Sequence, residues 1–121
     1  MRTLFNLILT LTLAFTPLAS AIDVGQRTYT NNPTLASVSS SATSVALLAA
    51  TTETRRKYFS FYNNSTQIAY VKKGTGAATS SDYWLEMAPE SFYETEFPVY
   101  QGAFTVIWAS ANGAMLVTYE Y

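Results

Sequence analysis

The chain has 121 residues, of which 49% are hydrophobic, 15% aromatic and 12% charged, and its formal net charge is −1. This length predicts a single domain, and the small net charge provides no basic field that would favour nucleic acid as a partner. The chain contains neither cysteine nor histidine. Disulfides, thiolate nucleophiles, Ser-His-Asp machinery and zinc sites built on those ligands are therefore excluded.

Residues 1–21 have the pattern of a secretory signal peptide. Arg2 gives a positive start, residues 4–15 are largely apolar, and Ala19 and Ala21 form the A-x-A pattern that signal peptidase recognises. The apolar stretch is too short to cross a bilayer of about 30 Å as a helix. Within it leucine partly alternates with threonine, which is a strand period. A hydrophobic arm that docks on a partner is therefore the alternative to a signal peptide.

The next segment leads into the folded domain, which we place at residues 35–121. Residues 22–34 are polar, have no hydrophobic period and contain a turn signal at Asn31-Asn32-Pro33, so we expect a linker or an N-terminal arm. An Ala/Ser/Thr-rich stretch follows. It predicts two short strands, over residues 35–40 and 44–49, joined by a Ser-rich bend.

The aromatic segment that begins at Tyr58 predicts a β-hairpin. Residues 58–62 form the first strand, with Phe59 and Phe61 on one face. A turn cluster at residues 63–66 and a second strand over residues 67–72 complete the predicted hairpin.

Four more short strands follow a loop of small and polar residues. They are predicted over residues 83–87, 91–96, 104–109 and 115–121. Asn112-Gly113 separates the last two, and this dipeptide favours a type I′ turn with positive φ at both residues. We therefore expect the last two strands to pair as a hairpin.

These elements predict an all-β domain, an antiparallel β-sandwich or a small jelly-roll-like barrel of about seven or eight short strands. No strand is followed by a helical crossover, which excludes a parallel α/β sheet. Phe104, Val106 and Trp108 share one face of their strand, so we expect Trp108 in the core.

The sequence offers little for catalysis, and we expect neither an enzyme nor a bound cofactor or metal ion. Gly74-Thr75-Gly76 lacks the residues of a phosphate-binding loop. Asp82, Glu86 and Glu90 match no calcium-loop spacing. The only catalytic alternative is a small hydrolase that uses Glu86 and Glu94 as paired carboxylates.

Two groups of residues are candidates for contact with a ligand or partner. The basic run Arg55-Arg56-Lys57 is either a solvated loop or a contact for a phosphate, a sugar acid or an acidic protein. The aromatic surplus either is buried on both sheet faces or forms an interface or sugar-stacking platform. The candidate binding residues are Arg55, Arg56, Tyr58, Tyr62, Tyr83 and Trp84.

Several runs resemble small β-sandwich accessory proteins of tailed phages and prophages. They are the Ser/Thr-rich residues 36–45, the pair Arg55-Arg56, Phe61-Tyr62-Asn63-Asn64-Ser65-Thr66, Tyr70-Val71-Lys72 and Ile107-Trp108-Ala109-Ser110-Ala111-Asn112-Gly113. The resemblance implies a head-decoration, fibre or tail-associated component and carries no catalytic residues over to this chain. Phage particles assemble in the cytoplasm, so the leader either acts as an arm or marks a member recruited to the cell envelope.

We therefore expect a non-catalytic virion accessory protein that binds a repeating protein lattice and forms a homo-oligomer. The alternative is an exported carbohydrate-binding or cell-surface attachment module, with Tyr83 and Trp84 stacking on a glycan. The expected location is the virion if residues 1–21 are retained, and the periplasm or cell exterior if they are cleaved.

Overall fold

The computed structural model describes residues 33–51 and 55–121, and this part of the chain is all-β, without a helix. The predicted signal peptide or arm and almost all of the predicted linker lie outside the described residues. Among the residues that are described, no helix is long and apolar enough to cross a membrane. Eight strands are present: β1 (Thr34–Ser39), β2 (Val45–Leu48), β3 (Tyr58–Ser65), β4 (Ala69–Lys73), β5 (Leu85–Met87), β6 (Phe92–Glu94), β7 (Phe104–Trp108) and β8 (Gly113–Glu120).

The strands form two four-stranded antiparallel sheets. Sheet I has the order β1-β8-β3-β6, and sheet II has the order β2-β7-β4-β5. The pairs β1·β8, β2·β7, β3·β6 and β4·β5 are nested, as if one long hairpin were wound around the domain. This eight-stranded winding is the jelly-roll form of a β-sandwich, and it confirms the predicted fold class.

Alternating side chains from both sheets fill the space between them. Phe59 and Phe61 of β3 and Met115 and Val117 of β8 face Val106 and other residues of sheet II, and all are almost completely buried. Trp108 is also buried, which confirms its predicted place in the core. Period-two alternation therefore identified the core faces of β3 and β7.

The predicted hairpin between residues 58–62 and 67–72 is wrong, because β3 and β4 lie in different sheets. The expected turn residues Asn63, Asn64 and Ser65 instead extend β3 and pair with Met115, Ala114 and Gly113. Asn63 is fully buried there. Its Nδ2 donates to the carbonyl oxygens of Gln67 (2.8 Å), Met87 (3.0 Å) and Ala88 (3.1 Å), and its Oδ1 accepts from Trp108 Nε1 at 3.2 Å.

The predicted hairpin at Asn112-Gly113 is wrong for the same reason, since β7 and β8 belong to opposite sheets. Gly113 has a φ of +112°, whereas Asn112 is not among the described residues with positive φ, so no type I′ turn forms. The connection between β7 and β8 is instead hydrogen-bonded to Ser40, the residue that follows β1. Asn112 N donates to Ser40 Oγ at 2.6 Å, and Ser40 N donates to the Gly113 carbonyl oxygen at 2.9 Å.

Candidate functional site

An open cleft of about 350 Å³ lies at one end of the sandwich, where β3, β5 and β7 begin and β4 and β6 end. We call it the Trp84 cleft. Most of its lining is aromatic, with one lysine and one glutamate. The lining residues are Phe59, Lys73, Trp84, Tyr93, Thr95, Glu96, Phe97, Pro98 and Tyr100.

The inner wall of the Trp84 cleft is an extension of the aromatic core. Phe59 lies 4.9 Å from Phe104 and 6.1 Å from Tyr93, measured between ring centroids. Trp84 meets Tyr93 edge to face at 5.1 Å and remains 37% exposed. Phe97 stands at the rim with 81% of its surface exposed. The cleft therefore has rings fixed by packing on one side and an accessible ring at its mouth.

Lys73 holds its ammonium group against these rings. Its Nζ lies 3.9 Å from the centroid of Trp84 and 5.3 Å from that of Tyr100. Its neighbour Lys72 forms an ion pair with Asp82 instead. Because side chains alternate along a strand, the two lysines of β4 leave on opposite sides, and only Lys73 enters the cleft.

The hydroxyl of Tyr93 and the carboxylate of Glu96 also line the cleft. Burial raises the pKa of the Tyr93 hydroxyl, and the nearby negative charge of Glu96 raises it further. The Tyr93 hydroxyl therefore stays protonated at physiological pH and can donate a hydrogen bond, while the exposed Glu96 carboxylate can accept one.

Arg56 was predicted to contact a partner, and the structure corrects this interpretation. Its side chain is only 2% exposed and donates to the carbonyl oxygens of Tyr100 (2.8 Å), Gly102 (3.1 Å) and Ala49. Burial lowers its pKa, against opposing contributions from Tyr121 and Tyr100. Arg56 is therefore a brace behind the segment that carries Tyr100 into the cleft.

The side chain of Gln101 binds the same segment to the backbone of Arg56. Its Oε1 accepts from Arg56 N at 2.9 Å, and its Nε2 donates to the Arg56 carbonyl oxygen at 2.9 Å. Gly102 leaves room for Tyr100 to fold back, because a Cβ at that position would lie 2.1 Å from the Tyr100 hydroxyl oxygen. Arg56, Gln101 and Gly102 together set the position of Tyr100.

The structure separates Tyr83 from Trp84, which were predicted to act as one stacking platform. Trp84 lines the cleft, whereas Tyr83 packs against Tyr70 at 5.0 Å. The Tyr83 hydroxyl donates to Glu86 at 3.3 Å, and this hydrogen bond raises its pKa. The two side chains therefore have different neighbours and do not form a joint platform in this structure.

The other predicted contact residues lie away from the cleft. Tyr58 and Tyr62 are half-buried on the outer face of sheet I. On that face Tyr62 lies between Leu116 of β8 and Phe92 of β6. The Phe92 side chain is 60% exposed. Arg55 is exposed and borders a separate depression of about 300 Å³ with Ala50, Thr51 and Tyr121.

The carboxylates considered for a hydrolase are not brought together. Glu86 lies on β5 of sheet II and Glu94 on β6 of sheet I, and both side chains are exposed. Their strand neighbours Met87 and Tyr93 point into the sandwich. Alternation therefore places the two glutamates on opposite outer faces of the domain.

Several residues of the Trp84 cleft were not identified from the sequence, namely Lys73, Glu96, Phe97 and Tyr100. Lys73 ends β4 and the other three lie in the connection between β6 and β7, and the jelly-roll winding brings these two parts of the chain to one end. The available signal was weak: two aromatic residues, Phe97 and Tyr100, in one loop that also contains Pro98 and Gly102. Comparisons of the chain with models of known protein families, with curated protein sequences and with solved structures find no match.

Proposed function

We propose that this domain is a non-catalytic attachment module of a phage-like particle and that it binds a repeating protein lattice, such as a capsid or tail surface. The jelly-roll winding supports this proposal, since the same architecture is used by viral capsid domains and by lectins. The resemblance of several sequence runs to tailed-phage accessory proteins points in the same direction.

The observation that carries the proposal is an apolar row on the outer face of sheet I. The register places Leu116, Tyr62 and Phe92 side by side across three strands. Leu35, on the neighbouring edge strand β1, is 71% exposed on the same face. Exposed aromatic and aliphatic side chains that adjoin across a sheet are typical of protein–protein interfaces.

The proposal is tested by adding the purified chain to particles from its natural source that lack it. We expect saturable binding with a fixed number of copies per particle. The double variant Tyr62→Ser/Phe92→Ser should bind at least about tenfold more weakly, because aromatic residues dominate interface energies. Tyr70→Ser, on the outer face of sheet II, is the matched control and should bind as the wild type does. Unchanged binding by the double variant would rule out this face.

A second candidate function, an exported carbohydrate-binding module, is favoured by the Trp84 cleft. Aromatic rings beside a tyrosine hydroxyl and a carboxylate suit a sugar, which presents an apolar C–H face and several hydroxyl groups. A bound glycan should change the fluorescence of Trp84, while Trp108 is buried. The change should disappear in Trp84→Ala; if it persists there, the cleft is not the site.

A further inference from the structure

The Trp84 cleft holds a positive charge against its aromatic rings. The Lys73 ammonium rests on Trp84 and Tyr100, and within residues 33–51 and 55–121 no carboxylate oxygen is recorded within 4.0 Å of it. A ring face attracts an ammonium group through its quadrupole but does not neutralise its charge. The cation is therefore held in place and remains available to an anionic group of a ligand.

The remaining polar groups limit which anion fits. Glu96 lines the same cleft, so a densely charged ligand such as a polyphosphate would be repelled by its carboxylate. The Tyr93 hydroxyl and Glu96 together offer one hydrogen-bond donor and one acceptor for neutral hydroxyl groups. The cleft, at about 350 Å³, lies near the small end of the range for ligand pockets, which is about 300–1,000 Å³.

We propose that the Trp84 cleft binds an acidic sugar, a pyranose with a single carboxylate. The carboxylate pairs with Lys73, the C–H face of the ring packs on the aromatic lining, and the sugar hydroxyls meet Tyr93 and Glu96. This inference rests on the second candidate function, carbohydrate binding, and adds the charge class of the ligand.

The test measures binding of the full chain to matched acidic and neutral sugars by isothermal titration calorimetry. The probes are galacturonate and sialyllactose, each compared with its own methyl ester, which keeps the sugar and removes the charge. At least one acid should bind about tenfold more tightly than its ester, because a hydrogen bond to a charged partner is stronger than one to a neutral partner. Added salt should reduce this preference.

Two lysine variants test the residue directly. Lys73→Met keeps a long side chain and should remove the preference for the acid over its ester. Lys72→Met is the matched control from the same strand and should retain the preference, because Lys72 pairs with Asp82 outside the cleft. Thermal unfolding of each variant checks that the fold is intact.

The outcomes distinguish a failure of the acidic-sugar inference from a failure of the carbohydrate-binding candidate on which it rests. Equal binding of acids and esters would overturn the acidic-sugar inference and leave carbohydrate binding in place. A preference that survives in Lys73→Met would overturn the role of Lys73. Binding of none of the four probes would overturn both the inference and the carbohydrate-binding candidate.

Discussion

The buried side chain of Asn63 connects the two sheets through hydrogen bonds. Its side-chain amide joins the carbonyl oxygens of Gln67, Met87 and Ala88 to the indole N–H of Trp108 in a fully buried position. Buried donors and acceptors that lose their partners cannot recover them from water. The side chain thus fixes how the end of β3 sits against sheet II.

We predict that Asn63→Leu lowers the free energy of unfolding by about 3 kcal/mol or more, since it leaves several buried polar groups unpaired. Asn64→Ala, at the exposed neighbouring position, should change it by less than about 0.5 kcal/mol. Urea denaturation of the two variants measures the difference. Equal losses would contradict the role assigned to the Asn63 amide.

Arg56 is a buried charged residue that stabilises the 100–102 segment through hydrogen bonds to its backbone carbonyl oxygens. Arg56→Met should cost about 2–3 kcal/mol, because the guanidinium donates to backbone carbonyl oxygens in a buried site. Lys57→Met, at an exposed position next to it, should be nearly neutral. If both variants melt like the wild type, Arg56 is not a brace for the 100–102 segment.

At the residue scale the sequence predicted burial well where side chains alternate, as at Phe59, Phe61 and Trp108. It predicted Arg56 wrongly, because a run of three basic residues favours a solvated loop. The partners that bury Arg56 are backbone carbonyl oxygens, and two of them lie more than 40 positions away in the sequence. No side-chain pattern encodes such contacts.

At the element scale, Gly113 is required both by its backbone conformation and by the close approach of β3. Its φ is +112°, and a Cβ there would lie 2.3 Å from the Asn64 carbonyl oxygen. Gly74 has a similar φ of +108°, but a Cβ on it would meet nothing within 4 Å. Comparing substitutions at Gly74 and Gly113 therefore separates the free-energy cost of the backbone conformation from that of a steric clash.

We predict that Gly74→Ala destabilises the domain by about 1–3 kcal/mol through backbone strain alone. Gly113→Ala should cost at least about 1 kcal/mol more, because β3 or β8 must also move apart. Chemical denaturation of both variants gives the comparison. The close approach would be contradicted if the two substitutions proved equally costly.

Strand positions were largely predicted from the sequence, but strand pairing was not. Turn signals such as Asn63-Asn64 and Asn112-Gly113 favour local hairpins, whereas here adjacent strands in sequence mostly alternate between the sheets. The Asn63 amide and the Ser40 contact with Asn112 override the local preference through distant partners. Tertiary contacts of this kind cannot be inferred from a short window.

At the scale of the whole molecule, the nested pairing makes β3, β8, β4 and β7 the inner strands and β1, β6, β2 and β5 the edges. Amide hydrogen exchange should therefore be slowest in the four inner strands, which open only with global unfolding, and faster in the edge strands. Strong protection of β1 with weak protection of β8 would contradict the sheet order.

The position of the Trp84 cleft follows from the same winding. Five elements separated by up to 41 positions, from Phe59 to Tyr100, meet at one end of the sandwich, on the side of the molecule where the connections are longest. The apolar row of sheet I belongs to an outer face of the sandwich. The domain thus offers two distinct surfaces, one suited to a protein lattice and one to a small ligand.

The central proposal is tested most directly by finding which fraction of the natural source contains the protein and at which residue its chain begins. The measurement is density-gradient fractionation of the natural source, followed by the intact mass of the chain in each fraction. The attachment account predicts a chain that begins at Met1 or Arg2 and sediments with particles at fixed stoichiometry. A chain that begins at Ile22 and is recovered only as a free monomer would contradict it, and would favour the exported carbohydrate-binding module.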